Sequence, residues 1–233
     1  ALLKNKNLYG VITLLIVQKY GGSSVADKER IFNAASKIAA SYDSGNNVVV
    51  IVSAQGNTTD MLIETANNII IDAPKRELDM LLSTGEQQSA ALMSMALISL
   101  GYKAISLNAW QTGIFTTDDY GNARKTGINT ERIKYELSLG KIVIIAGFQG
   151  INNSMDITTL GRGGSDTTAI AIAAALKADK CEIYTDVNGI YTADPRIVPN
   201  AVLLESIDYN VMLNYSSLGA KVLHNRSVEL AKN

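Results

Sequence analysis

The sequence predicts an α/β fold, a three-layer αβα sandwich around a mainly parallel central sheet. Short apolar runs alternate with amphipathic stretches along the chain, the pattern of strands joined by crossover helices. Several of these runs are apolar on both faces, as strands covered by helices on each side must be. The 233 residues are 47% hydrophobic and 18% charged. That composition suits one large core burying roughly 70–75% of the unfolded chain's surface. With no low-complexity linker and no internal repeat, one domain over residues 1–233 is expected.

The expected strands are Ile12–Gln18, Val48–Ser53, Ala104–Asn108, Ile142–Gly147 and Glu182–Thr185. The first follows Lys4 and Lys6, so the run from Val11 to Val17 has the outline of a signal peptide. No small-residue cleavage site follows it, and its length and β-branched content favour a buried strand. No segment approaches the roughly 18 apolar residues that span a bilayer, so no membrane contact and a cytoplasmic location are expected. Ile31, Ala34, Ala35, Ile38 and Ala39 form one apolar helical face after the first strand. Gln87 to Leu100 reads as a helix closed by Gly101, and Thr130 to Leu139 as a shorter one closed by Gly140. Thr167 to Ala178 is a helix of almost entirely small residues, suited to close packing on the sheet.

Lys and Arg total 21 against 22 Asp and Glu, a net charge of −1, which argues against a nucleic-acid partner. Positive charge for an anionic ligand must therefore be focused in one cleft. Cys181 is the single cysteine and His224 the single histidine. Disulfide frameworks, thiolate or multi-histidine metal sites and Ser-His-Asp triads are excluded.

Three segments suit a phosphorylated ligand. In Lys19-Tyr20-Gly21-Gly22-Ser23-Ser24 a strand ends, two glycines open the backbone and a helix follows, with a lysine at the mouth. A tight turn with a solvated lysine explains the same residues equally well, and the Walker A ending is missing. Gly161-Arg162-Gly163-Gly164-Ser165-Asp166 surrounds an arginine with bare N–H groups, a costly arrangement for a merely structural loop. Arg162 can grip a carboxylate or phosphate through two parallel hydrogen bonds, while Ser165 and Asp166 are also suited to cap the next helix. The stretch from Tyr184 to Arg196 is dense in hydroxyls and carboxylates, fit for a nucleotide or for an ordinary polar loop. Two further segments look like substrate walls: Ser53 to Asp60, and Leu82-Ser83-Thr84-Gly85-Glu86 at the expected start of the Ala-rich helix. Glu86 there either complements the helix dipole or binds an amino group.

The segments KYGGSS, VVVIVSAQGNTTD, LSTGE, AGFQG, TTLGRGGSDTTA, YTDVNGIYTADPR and GAKVLH, in this order, resemble the aspartate kinases of the amino-acid kinase family. The resemblance runs from about Val17 to the end and implies that family's fold. It implies transfer of a phosphoryl group from ATP, with Mg²⁺, to L-aspartate, the entry to lysine, threonine and methionine. It places Lys19, Tyr20, Gly21, Gly22, Ser165, Thr185, Asp186, Tyr191, Asp194, Arg196 and Lys221 at ATP, and Ser53, Thr59, Glu86 and Arg162 at aspartate. Lys19 and Asp166 are its catalytic residues, no side chain is assigned as a dedicated metal ligand, and a homodimer is compatible with it. A carboxylate nucleophile with a reference pKa near ~3.9 needs no general base. Two departures stand out: Asn225 occupies a position where the family usually has proline, and the family's regulatory ACT domains are absent from residues 1–233. The alternatives are a relative acting on acetylglutamate, glutamate or uridylate, and an inactive nucleotide- or amino-acid-binding subunit.

Overall fold

The computed structural model describes residues 13–217 and 223–232. In chain order it forms β1 (Leu15–Tyr20), α1 (Lys28–Asp43), β2 (Asn47–Val52), α2 (Thr58–Ile69), α3 (Lys75–Ser99) and β3 (Ala104–Leu107). There follow α4 (Ala109–Thr112), β4 (Ile114–Thr116), β5 (Lys125–Ile128), α5 (Glu131–Ser138), β6 (Ile142–Ala146), β7 (Gln149–Ile151) and β8 (Ile157–Thr159). Last come α6 (Gly164–Leu176), β9 (Lys180–Tyr184), α7 (Tyr209–Ser217) and α8 (Asn225–Lys232).

The central sheet has the order β3-β6-β2-β1-β9, and every pairing in it is parallel. Its middle strands read Val-Val-Val-Ile-Val in β2 and Ile-Val-Ile-Ile-Ala in β6, β-branched and buried on both faces. On one face Val48, Val50 and Ile144 pack against Ile38 of α1 and Met93 and Leu97 of α3. On the other, Val49, Ile51 and Ile145 meet Ile133 of α5 and Ile172 and Leu176 of α6. The result is the expected three-layer sandwich. Because all five strands run the same way, their C-terminal ends share one edge, where ligands of open parallel sheets bind.

Three differences from expectation matter. β1 continues through Lys19 to Tyr20, because both residues stay in register with Ile51–Val52 and Ile183–Tyr184. The expected start at Ile12 lies outside the described residues, as do Lys4, Lys6 and Val11. α3 begins at Lys75, not near Gln87, so the Ser83-Thr84-Gly85 stretch that reads as a helix start is mid-helix. Tertiary packing overrides its weak propensity. Finally, β5-β4-β7-β8 form a second small sheet, whose strands of three or four residues are too short to register as a period in the sequence.

Candidate active site

Three of the five parallel strands, β1, β2 and β9, lead into segments that carry predicted residues, and Arg162, Ser165 and Asp166 follow β8 of the small sheet. Gly21 N–H bonds the carbonyl of Tyr184 at 3.4 Å, Ser53 N–H that of Tyr20 at 3.1 Å, and Gly147 N–H that of Val52 at 3.0 Å. Where β1 ends, the chain makes a one-turn 3-10 segment, Gly22–Val25, before α1 starts at Lys28. The N-terminus of α1 is capped by Asp27, which accepts from Arg30 N–H. The phosphate-friendly backbone expected after β1 is therefore the glycine turn itself and not the end of α1. Gly22 is required there: a Cβ would lie 2.7 Å from the carbonyl oxygen of Ala54.

Lys19 and Asp166 meet across this edge. The Lys19 Nζ lies 2.8 Å from Asp166 Oδ1, with side chains only 11% and 14% exposed. The contact is ionic in distance without hydrogen-bond angles, so Oδ1 carries no hydrogen bond. Asp166 lies in the first turn of α6, whose N-cap is Gly163 at φ 73° with no side-chain cap. Capping by Ser165 or Asp166 is thus overturned, and Asp166 is left to face the cleft. The positive end of the α6 dipole points the same way. Gly147 lets this helix end close in: a Cβ there would stand 2.8 Å from Ser165 Oγ.

Glu86 is the most unusual group of the site. It is 4% exposed on α3, and one oxygen, Oε1, accepts the Ala54 N–H at 3.1 Å. The other, Oε2, is buried with no hydrogen-bond partner. Burial drives its pKa up to about 7, against the smaller opposing effect of backbone hydrogen bonds. The mid-helix position removes the reading of Glu86 as a dipole complement. Ser53 follows β2 and Thr59 lies in the first turn of α2, both half-buried and bracketing Ala54, the partner of Glu86. Arg162 is exposed on the loop between β8 and α6.

The Tyr20 side chain does not face this cleft. It is buried, stacks on Tyr184 with ring centroids 4.6 Å apart, and donates to Gln18 at 3.3 Å. A nucleotide can meet only its backbone. Thr185, Asp186, Tyr191, Asp194 and Arg196 all fall in the irregular segment after β9, whose one bridge pairs Tyr191 with Leu203. Thr185 donates to Asp186 at 3.1 Å, and Arg196 grips Asp194 through Nε at 3.0 Å and Nη2 at 2.7 Å. A cleft of about 480 Å³ opens here, lined in part by Thr185, Asn188, Gly189 and Leu204. Lys221 lies outside the described residues.

The sequence profile of the amino acid kinase family matches residues 15–233. The chain belongs to this family. Among relatives of this amino acid kinase are an aspartokinase of Bacillus sp. (strain MGA3), 58% identical, and aspartokinase 2 of Bacillus subtilis (strain 168), 57% identical. Each alignment covers 94% of the chain but only 53% and 54% of the relative, so the chain spans about half their length. An aspartate kinase structure from Synechocystis superposes with a TM-score of 0.83 at 51% identity, over 93% of this chain and 36% of that one. The E. coli aspartokinase III structure in complex with aspartate and ADP gives 0.79 at 27% identity, over 93% and 59%.

Proposed function

We propose that this amino acid kinase is the catalytic part of an aspartate kinase, transferring the γ-phosphoryl group of ATP to the β-carboxylate of L-aspartate. The observation that carries the substrate is Glu86: a buried carboxylate oxygen with no hydrogen-bond partner is a receptor for an ammonium group. Aspartokinase relatives more than 50% identical, and the similarity to E. coli aspartokinase III in complex with aspartate and ADP, support the same choice. Arg162 takes the α-carboxylate, Ser53 and Thr59 complete that wall, and the β-carboxylate is left pointing toward Lys19.

In the reaction a β-carboxylate oxygen forms a bond to the γ-phosphorus as the bond to the β,γ-bridging oxygen breaks, leaving ADP and 4-phospho-L-aspartate. No base is needed. The obstacle is repulsion between two anions, roughly 4 kcal/mol for unit charges about 4 Å apart at an effective dielectric of about 20. Lys19, bare glycine amides and the N-terminus of α6 offset it and stabilise charge on the transferring group. Among the described residues no three His, Cys, Asp or Glu side chains cluster to cage a metal. Mg²⁺ would arrive with the phosphates, and Asp166, whose Oδ1 carries no hydrogen bond, is the carboxylate suited to hold it. Mg²⁺ would supply neutralisation of phosphate charge, a task that Lys19 shares.

The product would feed lysine, threonine and methionine formation. Among the described residues no helix is long and apolar enough to cross a membrane. The exposed Met95 and Ile98 of α3 support self-association as a homodimer, which sedimentation would test. Activity is tested by trapping the acyl phosphate with hydroxylamine across aspartate, glutamate and acetylglutamate, and by ATP consumption with uridylate, whose phosphoanhydride product forms no hydroxamate. Aspartyl hydroxamate is the expected product; binding of ATP with none formed would favour an inactive binding subunit.

A further inference from the structure

Two helical turns before Glu86, α3 carries a second buried carboxylate that phosphoryl transfer does not use. Asp79 is 1% exposed and accepts three hydrogen bonds. They come from Thr159 N–H at 2.8 Å, Thr159 Oγ1 at 2.8 Å and Gly121 N–H at 2.9 Å. Thr159 closes β8 and leads through Leu160 and Gly161 directly to Arg162. Gly121 supports that loop from beside it: a Cβ on Gly161 would meet the Gly121 carbonyl at 3.3 Å and Asn122 Oδ1 at 3.0 Å. Asp79 thus holds the root of the arginine loop and its neighbour with one carboxylate. Arg76, one turn earlier, reinforces the junction by donating to Asp156 at 2.7 Å, which also accepts from Tyr120 at 2.8 Å.

Burying an acid is costly, and burial raises the Asp79 pKa despite its three donors. If packing alone mattered, an apolar residue would serve better at this point on α3. Seven residues on, about 10.5 Å along the axis, stands Glu86. One rigid helix therefore carries the ammonium receptor and grips the loop that bears the carboxylate receptor.

We propose that Asp79 is a positioning residue for the acidic substrate, stapling the Arg162 loop to the Glu86 helix and so setting the span between the two groups that clamp it. The inference rests on the aspartate kinase reading of the site.

The test uses the full chain with Asp79→Ala, Asp79→Asn and Thr159→Val. Asp79→Ala is expected to raise the aspartate KM about 10-fold or more while the ATP KM stays within about two-fold. Asp79→Asn, whose carbonyl still accepts the two backbone N–H groups, recovers the aspartate KM to within about three-fold of the parent. Thr159→Val, losing one hydrogen bond, raises it a few-fold. An unchanged aspartate KM in Asp79→Ala, a parallel rise in both KM values, or an Asn variant as impaired as Ala overturns the proposal. Should Asp79→Ala not fold, an unchanged aspartate KM in Thr159→Val does so. Amide exchange at Gly161 and Arg162, expected to quicken in Asp79→Ala or Thr159→Val, reads the staple without any turnover. Unaltered exchange sinks it even if the parent makes aspartyl hydroxamate, whereas quickened exchange with no hydroxamate from the parent sinks the activity reading alone.

Discussion

The two walls of the cleft are built in opposite ways. The proposed substrate wall rises from inside the core: Glu86 and Asp79 are buried on a 25-residue helix, and one of their four oxygens has no hydrogen-bond partner. The proposed nucleotide wall is a surface segment whose polar groups bond one another, Arg196 with Asp194 and Thr185 with Asp186. The first is organised before the ligand arrives and pays for that in buried charge. The second must exchange internal bonds for ligand bonds, so each of its residues contributes little net.

Lys19 stands where the walls meet, and its loss should be largest. Lys19→Ala is expected to lower kcat on the order of 1,000-fold with modest change in the aspartate KM, measured by steady-state kinetics. Near-normal turnover would break the assignment of its role.

Glu86→Gln comes next, with kcat/KM for aspartate down about 100-fold and the ATP KM little altered. The same group sets a pH signature. Its folded-state pKa of about 7 stands above the ordinary 4.5, so between those values the native chain holds a proton the unfolded chain has released. Ligand-free stability is therefore greatest below the lower value and declines as pH rises through the upper one. The loss approaches about 3 kcal/mol. Thermal melts at about pH 5 and pH 8 should show this slope in the parent and not in Glu86→Gln, which is expected to melt higher at alkaline pH while binding aspartate poorly. Aspartate KM should fall over the same rise in pH, as the receptor becomes charged.

Gly22→Ala should cost about 10-fold in kcat/KM for both substrates, because its Cβ meets the Ala54 carbonyl and parts the loops after β1 and β2. Arg196→Ala should be smallest: its side chain is 87% exposed, and a two- to five-fold rise in ATP KM is expected, on the order of an exposed ion pair. A larger effect of Arg196 than of Glu86 would reverse the contrast between the walls.

The fold was legible because β2 and β6 are uninterrupted β-branched runs, whose burial on both faces leaves few architectures. The site was legible as motifs but less so as geometry. Tyr20 lies within the KYGGSS segment yet faces the core, since residues alternate sides along a strand and Lys19 takes the other side. Ser, Thr and Gly before Glu86 read as a helix start, whereas the structure places them mid-helix, with Ser83 and Gly85 buried and Thr84 exposed. Asp79 also has a sequence signal: with Leu82, Glu86, Ser89 and Met93 it marks one stripe of α3, and two acids on a largely apolar stripe ask for partners. The segment after β9 gave composition without conformation, having almost no regular pairing to constrain it.

The place of β1 in the sheet has a consequence for how the molecule comes into being. Its neighbour on one side, β2, follows after a single helix, but the other, β9, contributes Glu182 to Gln18 across 164 residues of chain. Local pairings close early and distant ones late. During synthesis Glu86 and the loops around it can assemble while β1 still presents an open edge, and the second wall is added only when the distant strand docks.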